Sequence, residues 1–340
     1  MTLSSFTVLS RTLSLAFIFP AFCLVGNNVY AEHDHKPANF IEETHPLTGK
    51  IWDVTGQQYI ARDQLLQKAL SSDYVMLGET HDNIKHHEGQ AWFISQLSQK
   101  KPGISVAFEM INQEQADAIN NTQDLTTGKL VDILEQTQSG WEFRKYYQPV
   151  FDSIVNAKLK IYAADLDRST MMNVVSKGEQ HIPDNLKKLI ENTPLPVDQQ
   201  EALKLEIEST HCGLINERMT RAMMTGQRVR DAAIGTNLYA IKSSDTRAVV
   251  LIAGSGHIRK DRGAPMYLHA QDRDASILTI AWQEVQAGVL DPKGYTRRWS
   301  EGELPFHYVI FTPAMDRPDP CEQMKNHMDQ KKFHGKKTGE

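Results

Sequence analysis

Four short apolar runs in this sequence each lead into residues that can bind a metal ion or exchange a proton. These residues are Glu79, His81, Glu109, Asp165 and His257. Carboxylate and imidazole groups supply lone pairs and have pKa values on either side of neutrality, so they suit metal binding or general acid–base chemistry. The sequence has no H-E-x-x-H or Cys-x-x-Cys motif of the common zinc sites. The pattern therefore predicts a polar site but leaves its chemistry open.

The apolar runs themselves are typical of buried strands, and segments with helical spacing of apolar residues separate them. Strands are predicted over residues 74–77, 104–108, 160–164 and 248–253. Alternating strands and helices predict an α/β fold with a mostly parallel sheet and helices on both faces. The carboxyl ends of such strands border one crevice, where we expect the polar residues to meet. In the alternative interpretation, Glu79 and His81 only cap the next helix.

A helix is predicted from about residue 83 to residue 100, with Asp82 as its N-cap. His86 and His87 lie in its first turns, where we expect them to be solvated or packed rather than to bind a ligand. Residues 276–282 and 307–311 are predicted as two further strands. Because long loops precede them, we expect both strands towards the margin of the sheet.

Residues 141–149, W-E-F-R-K-Y-Y-Q-P, form an aromatic cluster. Aromatic side chains at this density usually fill a core or a groove. A phenolate oxygen is also a ligand of iron(III), and a tyrosine near a histidine can bind haem iron. Tyr146 and Tyr147 are therefore candidate ligands, with core packing as the alternative.

A helical insertion, a lid or small subdomain over the crevice, is predicted for residues 185–242. It contains several methionines, which adapt to irregular apolar surfaces, including those that meet a flat ligand. Core packing is the alternative role for them. The insertion also contains H-C-G at 211–213 and Q-R-x-R-D at 227–231. Arg228 and Asp231 are three residues apart in the second motif, so an intrahelical ion pair is one interpretation.

The first 31 residues resemble a cleaved secretory signal, with one arginine before an apolar run and V-Y-A at 29–31. Cys23 lies where a lipoprotein would be cleaved, but the bulky Phe22 fits that site poorly, so lipidation ranks second. Residues 32–50 are predicted as a mobile polar leader, residues 51–312 as the main domain and residues 313–340 as a solvated tail.

Export would place Cys212 and Cys321 in a compartment that permits a disulfide without implying one. Without the signal sequence, 36 basic residues face 42 acidic ones, a net charge of about −6. The sequence has no basic stripe of the kind that would indicate nucleic-acid binding. The charge also gives no reason to expect binding to an anionic membrane surface.

Several motifs together resemble the ChaN family of haem-binding, iron-regulated proteins. They are L-G-E-T-H-D-N at 77–83, A-F-E-M at 107–110, Y-x-P at 147–149, H-C-G at 211–213, Q-R-x-R-D at 227–231 and A-G-S-G-H-I-R at 253–259. The resemblance spans roughly residues 50–312. ChaN-like domains share a superfamily with erythromycin esterase and Tiki/TraB proteins.

The resemblance implies an exported α/β protein of the periplasm or outer membrane that acts in haem uptake. It also implies haem held partly by a tyrosine, for which Tyr147 is the first choice and Tyr146 the rival. His211 is then the candidate second ligand or hydrogen-bond partner, and Arg228 a further residue at the haem. An outer-membrane haem receptor and a second copy of the chain are the expected partners.

The same superfamily implies an alternative, a metal-dependent or general-base hydrolase acting through Glu79, His81, Glu109 and His257. A third hypothesis, a non-catalytic interaction protein, leaves the acids at the strand ends unexplained. The sequence favours the haem-binding protein over the other two.

Overall fold

A computed structural model describes residues 39–136, 140–244, 246–298 and 302–326. The predicted signal sequence, Cys23 and the end of the predicted tail lie outside the described residues. The strands are β1 Phe40–Ile41, β2 Ile51–Asp53, β3 Gln58–Ile60, β4 Tyr74–Glu79, β5 Ile104–Phe108, β6 Ile161–Ala163, β7 Ala248–Gly254, β8 Ile277–Glu284, β9 Tyr308–Thr312 and β10 Ala314–Met315.

The helices alternate with the central strands. They are α1 Arg62–Ser71, α2 Ile84–Lys100, α3 Gln113–Asn120, α4 Thr127–Glu135, α5 Phe143–Tyr146, α6 Gln148–Asn156, α7 Arg168–Lys177, α8 Asp184–Asn192, α9 Val197–Thr210, α10 Glu217–Ser243 and α11 Ala264–Gln271. Short 3₁₀ segments cover Glu179–His181 and Pro292–Arg298. Among the described residues, no helix is both long enough and apolar enough to cross a membrane.

Eight strands form one sheet in the order β3-β2-β9-β8-β4-β7-β5-β6. The six strands from β9 to β6 are parallel, and the β2–β3 hairpin adds antiparallel strands beside β9. The predicted mostly parallel α/β fold is confirmed. The expectation that β8 and β9 lie at the margin is wrong, because the hairpin covers that side and leaves both strands inside the sheet.

Alternate residues of the central strands pack against helices on opposite faces of the sheet. Val75 and Leu77 of β4 belong to a core cluster with residues of α2 and α6. Tyr74 and Met76 of the same strand belong to a second cluster, with residues of α10 and α11. Burial on both faces explains why these strands read as continuous apolar runs. Helices on both faces are therefore confirmed.

The predicted helical insertion corresponds to α8, α9 and α10. The second half of α10 is nevertheless part of the main layer, since Ile234, Leu238 and Ile241 pack in the cluster that covers the sheet. The first half of α10 packs with α8 and α9 in smaller clusters that include Val229 and Leu203. Only this outer group is a separate helical layer.

Both predicted flexible ends contain ordered structure where they are described. In the leader, Phe40–Ile41 pairs with Ala314–Met315 of the predicted tail, and Leu47 is buried in the core. Cys321 forms a disulfide with Cys212 at the end of α9. The predictions of a mobile leader and a solvated tail are therefore wrong for these segments. The sequence did not indicate their order, because their contacts are few, are made with distant residues and produce no periodic pattern.

Candidate functional site

The candidate site lies at the carboxyl edge of the two central strands, β4 and β7. Glu79, the last residue of β4, pairs in register with Gly254, the last residue of β7. Glu109 follows β5, which pairs with the other side of β7. The backbone N–H of Glu109 donates to the carbonyl of Ile252 in β7. The parallel register therefore brings the predicted acids to one edge, as the sequence indicated.

Glu79 is 3 % exposed and accepts hydrogen bonds on both carboxylate oxygens. Its Oε1 accepts from His81 Nδ1 at 2.8 Å and from the hydroxyl of Tyr147. Its Oε2 accepts from Gln90 Nε2 at 2.6 Å and lies 3.2 Å from His87 Nδ1. Burial alone would raise the pKa of Glu79, but the adjacent histidines hold it below its ordinary value. Glu79 is therefore a buried carboxylate surrounded by donors.

His81 presents its second ring nitrogen to the crevice. Because the Glu79 carboxylate can only accept, Nδ1 of His81 is the donor, and Nε2 is left for another partner. Nε2 faces Gly254, and the side chain keeps 35 % of its exposure. The edge of Trp141 packs against the ring at 4.8 Å between centroids. Burial lowers the pKa of His81, but Glu79 and Glu109 outweigh it and raise the pKa.

Glu109 is linked to Asp165 through one arginine. Arg230 of α10 donates from Nη2 to Glu109 Oε1 at 2.7 Å and from Nε to Asp165 Oδ2 at 2.5 Å. The other oxygen of Glu109 accepts from the backbone N–H of Gly254 at 2.7 Å. Burial would raise the pKa of Glu109, but His257 and Arg230 hold it well below its ordinary value. Arg230 thus fixes two of the predicted acids in place.

His257 repeats the arrangement of His81 on the other side of Glu109. Its Nδ1 donates to Asp231 Oδ1 at 2.6 Å, and its Nε2 lies 3.4 Å from Glu109 Oε1. Burial lowers the pKa of His257 and Arg230 opposes its charge, but Glu109 and Asp231 raise the pKa to about 10. His257 is therefore a buried cation between two carboxyl groups at neutral pH.

An intrahelical ion pair between Asp231 and Arg228 was one interpretation of the sequence, and that interpretation is wrong. Asp231 instead holds His257, and Gln227 one turn earlier donates to Asp231 Oδ2 at 3.3 Å. Burial raises the pKa of Asp231 against the lowering effect of His257. Arg228 points the other way, donating to the Tyr267 hydroxyl at 3.3 Å and to the carbonyl of Ile190 at 3.4 Å.

The arrangement as a whole suits proton transfer. Each of the two histidines is oriented by a carboxyl group through Nδ1, and both Nε2 atoms are directed towards Glu109 or the adjoining Gly254. One imidazole is partly open to solvent, whereas the other is buried and charged. Within the described part of the chain, no group of three or more His, Cys, Asp or Glu side chains is arranged to hold a metal ion.

Tyr147, the first choice of haem ligand, lies inside this network. It is 1 % exposed, stacks on Phe151 and on His87, and donates its hydroxyl to Glu79. Burial, followed by the charge of Glu79, raises its pKa well above the ordinary value. A tyrosine binds iron(III) as a phenolate, a form that burial and the raised pKa of Tyr147 disfavour, and its ligand role stays a prediction. Tyr147 and Phe143 pack in the hydrophobic core, as the alternative interpretation of this aromatic cluster expects.

The other candidate haem residues are more exposed. Tyr146 is half-buried, and the Lys145 ammonium lies 4.6 Å from its ring centre. His211 is half-buried at the end of α9, where its Nδ1 donates to the carbonyl of Ile207 at 2.7 Å. Arg228 lines a cleft of about 260 Å³ between α8 and α10. The structure therefore places Tyr146, His211 and Arg228 outside the network around Glu79.

Two residues beside Glu79, His87 and Gln90, were not assigned to the candidate site from the sequence. His87 and Gln90 are fully buried against Glu79, although His87 was expected only to be solvated or packed. Helical spacing places His87 on the same face as Ile94, which is a signal of burial. The predicted N-cap Asp82 is wrong by one residue, because Asn83 accepts from the Lys85 N–H at 2.9 Å.

Gly254→Ala should displace the His81 ring and leave the fold intact. A Cβ at Gly254 would lie 3.0 Å from His81 Nε2, so the partly exposed ring must move by a few tenths of an ångström. We expect a loss of about 1 kcal/mol in the free energy of unfolding and a changed His81 ring signal in NMR spectra. Gly256→Ala is the control, since its Cβ meets nothing within 4 Å. Equal spectra for both variants would contradict the packing of Gly254 against His81.

The structure resembles several solved proteins. A ChaN of Campylobacter jejuni, for which cofacial haem binding is described, is 20% identical with a TM-score of 0.59, covering 79% of this chain and 97% of the other. An erythromycin esterase, EreC, in its open conformation is 13% identical with a TM-score of 0.46, covering 81% and 99%. No curated protein sequence matches this chain.

The sequence model of one protein family matches residues 65–268, which include all the residues of the Glu79 and His257 networks. That family is described as haem-binding uptake, Tiki superfamily, ChaN. The match extends over more than half of the chain and agrees with the fold of the Campylobacter jejuni protein. The chain therefore belongs to the ChaN family of haem-binding uptake proteins.

Proposed function

We propose that this protein binds haem and acts in haem uptake after export. The observation that carries the proposal is membership of a haem-binding uptake family across the α/β core and the helical layer. Haem is the cargo in this role. A second copy of the chain and an outer-membrane haem receptor are the proposed partners.

His211 fits a haem ligand in its local geometry. Because the Ile207 carbonyl accepts from Nδ1, the neutral ring keeps its lone pair on Nε2, the arrangement typical of metal-binding histidines. The adjoining cluster packs Ile207 with Met223 and Met224, whose partly buried side chains provide an adaptable apolar surface. We therefore propose His211 as an iron ligand.

Among the tyrosines, the half-buried position of Tyr146 suits a ligand better than the fully buried hydroxyl of Tyr147. Arg228 and Lys187 could pair with carboxylates where they line the cleft beside α8. The cleft volume of about 260 Å³ is below the roughly 300–1,000 Å³ typical of pockets that enclose a whole small ligand. This cleft suits a propionate rather than the porphyrin itself.

The disulfide between Cys212 and Cys321 supports export, because such bonds persist in oxidising compartments. The proposal therefore places the protein in the periplasm or at the outer membrane. A lipid anchor at Cys23 is the second choice. Mass measurement of the mature protein would distinguish a cleaved, unmodified chain from a lipidated one.

Haem titration followed by absorption spectroscopy and native mass measurement tests this function. Wild-type protein should give a Soret band typical of histidine or tyrosinate ligation, and His211→Ala should weaken binding by about 10- to 100-fold. Tyr146→Phe should also weaken binding, whereas Tyr147→Phe, the matched control, should not. The absence of haem binding by wild-type protein would contradict the function. Unchanged affinity in His211→Ala would contradict only the ligand.

A second candidate function is a general-base hydrolase, favoured by the two carboxyl-oriented imidazoles beside Glu109. His81 Nε2 would take a proton from water, while the charged His257 would stabilise an oxyanion. Glu79 orients His81, and Glu109 holds the charge of His257. Because the neutral form of His81 is required and its pKa is raised, hydrolysis should increase with pH above neutrality.

Hydrolysis of simple aryl esters over pH 6–10 tests this second candidate. We expect His81→Gln to lower the rate by roughly 100- to 10,000-fold, the usual contribution of a general base. His211→Ala should hydrolyse the ester normally and lose only haem binding, so the two candidate functions are separable. If wild-type protein hydrolyses the esters no faster than the uncatalysed background rate, the hydrolase candidate is contradicted.

A further inference from the structure

The chain does not leave the sheet edge after β9. Ala314–Met315 pairs with Phe40–Ile41, and the N–H of Asp316 donates to the carbonyl of Asn39 at 2.9 Å. The segment from residue 314 to residue 321, called here the C-terminal strap, then passes the turn that carries His81. The strap therefore runs along the same edge as the candidate site.

Arg317 attaches the strap to the His81 turn. Its Nε and Nη2 each donate to the Asp82 carboxylate at 2.6 Å, and Asp82 is the residue directly after His81. Its Nη1 and Nη2 each donate to Glu284 at 2.7 Å. Glu284 also accepts from Asn83 Nδ2 at 2.6 Å. Two acids and one arginine thus form a hydrogen-bonded bridge from the strap to both sides of the turn.

The other end of the strap is covalently attached to the helical layer. Cys321 bonds to Cys212, the second residue after the end of α9. Cys321 is only four positions after Arg317 in the sequence, a reach of at most roughly 14 Å. The disulfide therefore holds the tip of α9 and α10 within a short distance of the His81 turn.

The helical layer has a second attachment, on the His257 side of the crevice. Glu206 of α9 accepts from Arg262, which is 4 % exposed, and lies 3.5 Å from Arg259. Both arginines belong to the loop between β7 and α11 that carries His257. This attachment is ionic, whereas the strap is covalent, so only the strap responds to reduction.

We propose that the C-terminal strap is a redox-sensitive clamp, which positions His81 through Arg317 while the Cys212–Cys321 disulfide is intact and releases the His81 turn when the disulfide is reduced. The proposal goes beyond haem binding and rests on the hydrolase candidate in one respect, namely that His81 is the working residue of the crevice. Arg317 is a positioning residue in this scheme, since it acts on His81 through Asp82.

The redox step involves two electrons. A dithiol gives two electrons and two protons to the disulfide and becomes a cyclic disulfide itself. Cys212 and Cys321 become thiols. The strap is then held by Arg317, by the two-residue β1–β10 pairing, and by hydrogen bonds of Met315 to Glu284 and of Asp316 to Asn39. Arg317 and both short strands are partly open to solvent. We therefore expect the strap to detach locally while the core remains folded.

Hydrogen exchange of wild-type protein with and without dithiothreitol tests the clamp and needs no haem. The reporters are the N–H groups of Thr80, bonded to His86 Nδ1, and Asn83, bonded to the Thr80 carbonyl. Reduction should increase their exchange about fivefold, and Arg317→Gln should do so without any reductant. Arg317→Lys should restore part of the protection. Unchanged exchange at Thr80 after full reduction would overturn the proposal.

Matched controls separate the clamp from general loosening. The Cys212→Ser, Cys321→Ser double variant should show increased exchange that dithiothreitol does not change further, which also excludes an effect through Cys23. Arg144→Gln removes a comparable arginine that bridges Asp132 and Glu135 away from the crevice, and should leave Thr80 unaffected. The downfield Nδ1 proton of His81 should weaken only in the reduced and Arg317 samples. A haem titration that fails while exchange responds would contradict the function and leave the clamp standing.

Discussion

Glu79→Ala should lower the free energy of unfolding by about 3–5 kcal/mol, the cost of removing one side of a buried ionic network. The buried carboxylate accepts from His81, Tyr147 and Gln90 and lies 3.2 Å from His87 Nδ1. Without it, the Tyr147 hydroxyl and the Nδ1–H of His81 lose the buried carboxylate that accepts from them. Urea denaturation at pH 7 measures the effect.

The matched control is Glu88→Ala, which removes a surface carboxylate that pairs with Lys85 and is 48% exposed. It should cost less than about 0.5 kcal/mol. The pKa of Glu79 is lowered on folding, so its contribution is present above the ordinary carboxyl pKa and is lost as the pH falls. The difference between wild type and Glu79→Ala should therefore shrink in acid. Equal losses in the two variants would contradict the network.

Wild-type protein should lose stability between neutral pH and pH 10 because of His257. Folding raises the pKa of His257 from its ordinary value of 6.5 to about 10. Its contribution is therefore fully present below pH 6.5 and is lost as the pH rises through 10. The loss should be about 3–5 kcal/mol if this histidine alone is considered. Unfolding free energies measured across this range test the prediction.

The variant His257→Gln should show a much flatter profile between pH 8 and pH 10. His307→Gln is the matched control, because burial lowers the pKa of His307 to about 4 and leaves that ring neutral throughout the range. The control should therefore keep the alkaline loss of the wild type. A flat wild-type profile would show that Glu109 and Asp231 do not hold a charged His257.

The strand ends were predictable because two separate features of the sequence indicate each of them. An apolar run predicts the buried strand, and the first polar residue after it, such as Glu79 or Glu109, predicts the edge. Parallel pairing then brings these residues together without further information. This part of the candidate site follows from local pattern and general topology.

The partners of these residues were less predictable, because they depend on the rotation of helices about their axes. Asp231 lies one turn before Ile234, on the buried face of α10, and this spacing signals that it points inwards. Its assignment to Arg228 used only their separation in the sequence. Which of two side chains meets His257 depends on how α10 packs over the sheet, and spacing alone does not supply that.

The C-terminal strap left no recognisable pattern. Its pairing involves two residues per strand, and its main contact is made by the single side chain of Arg317. Contacts of this kind join residues more than 200 positions apart, such as Asp82 and Arg317. Polar composition therefore predicted a solvated tail where the structure has a fixed segment.

The central position of β4 and β7 also bears on how the protein acquires its site. Ser255 contacts the Glu79 carbonyl across 176 residues of sequence. The two cysteines of the disulfide are 109 residues apart, and the segment between them partly overlaps that range. Contacts over such distances form slowly, since a long loop must close first. A chain emerging from a ribosome therefore carries an incomplete crevice until β7 has appeared, and the strap can be locked only after Cys321 has emerged.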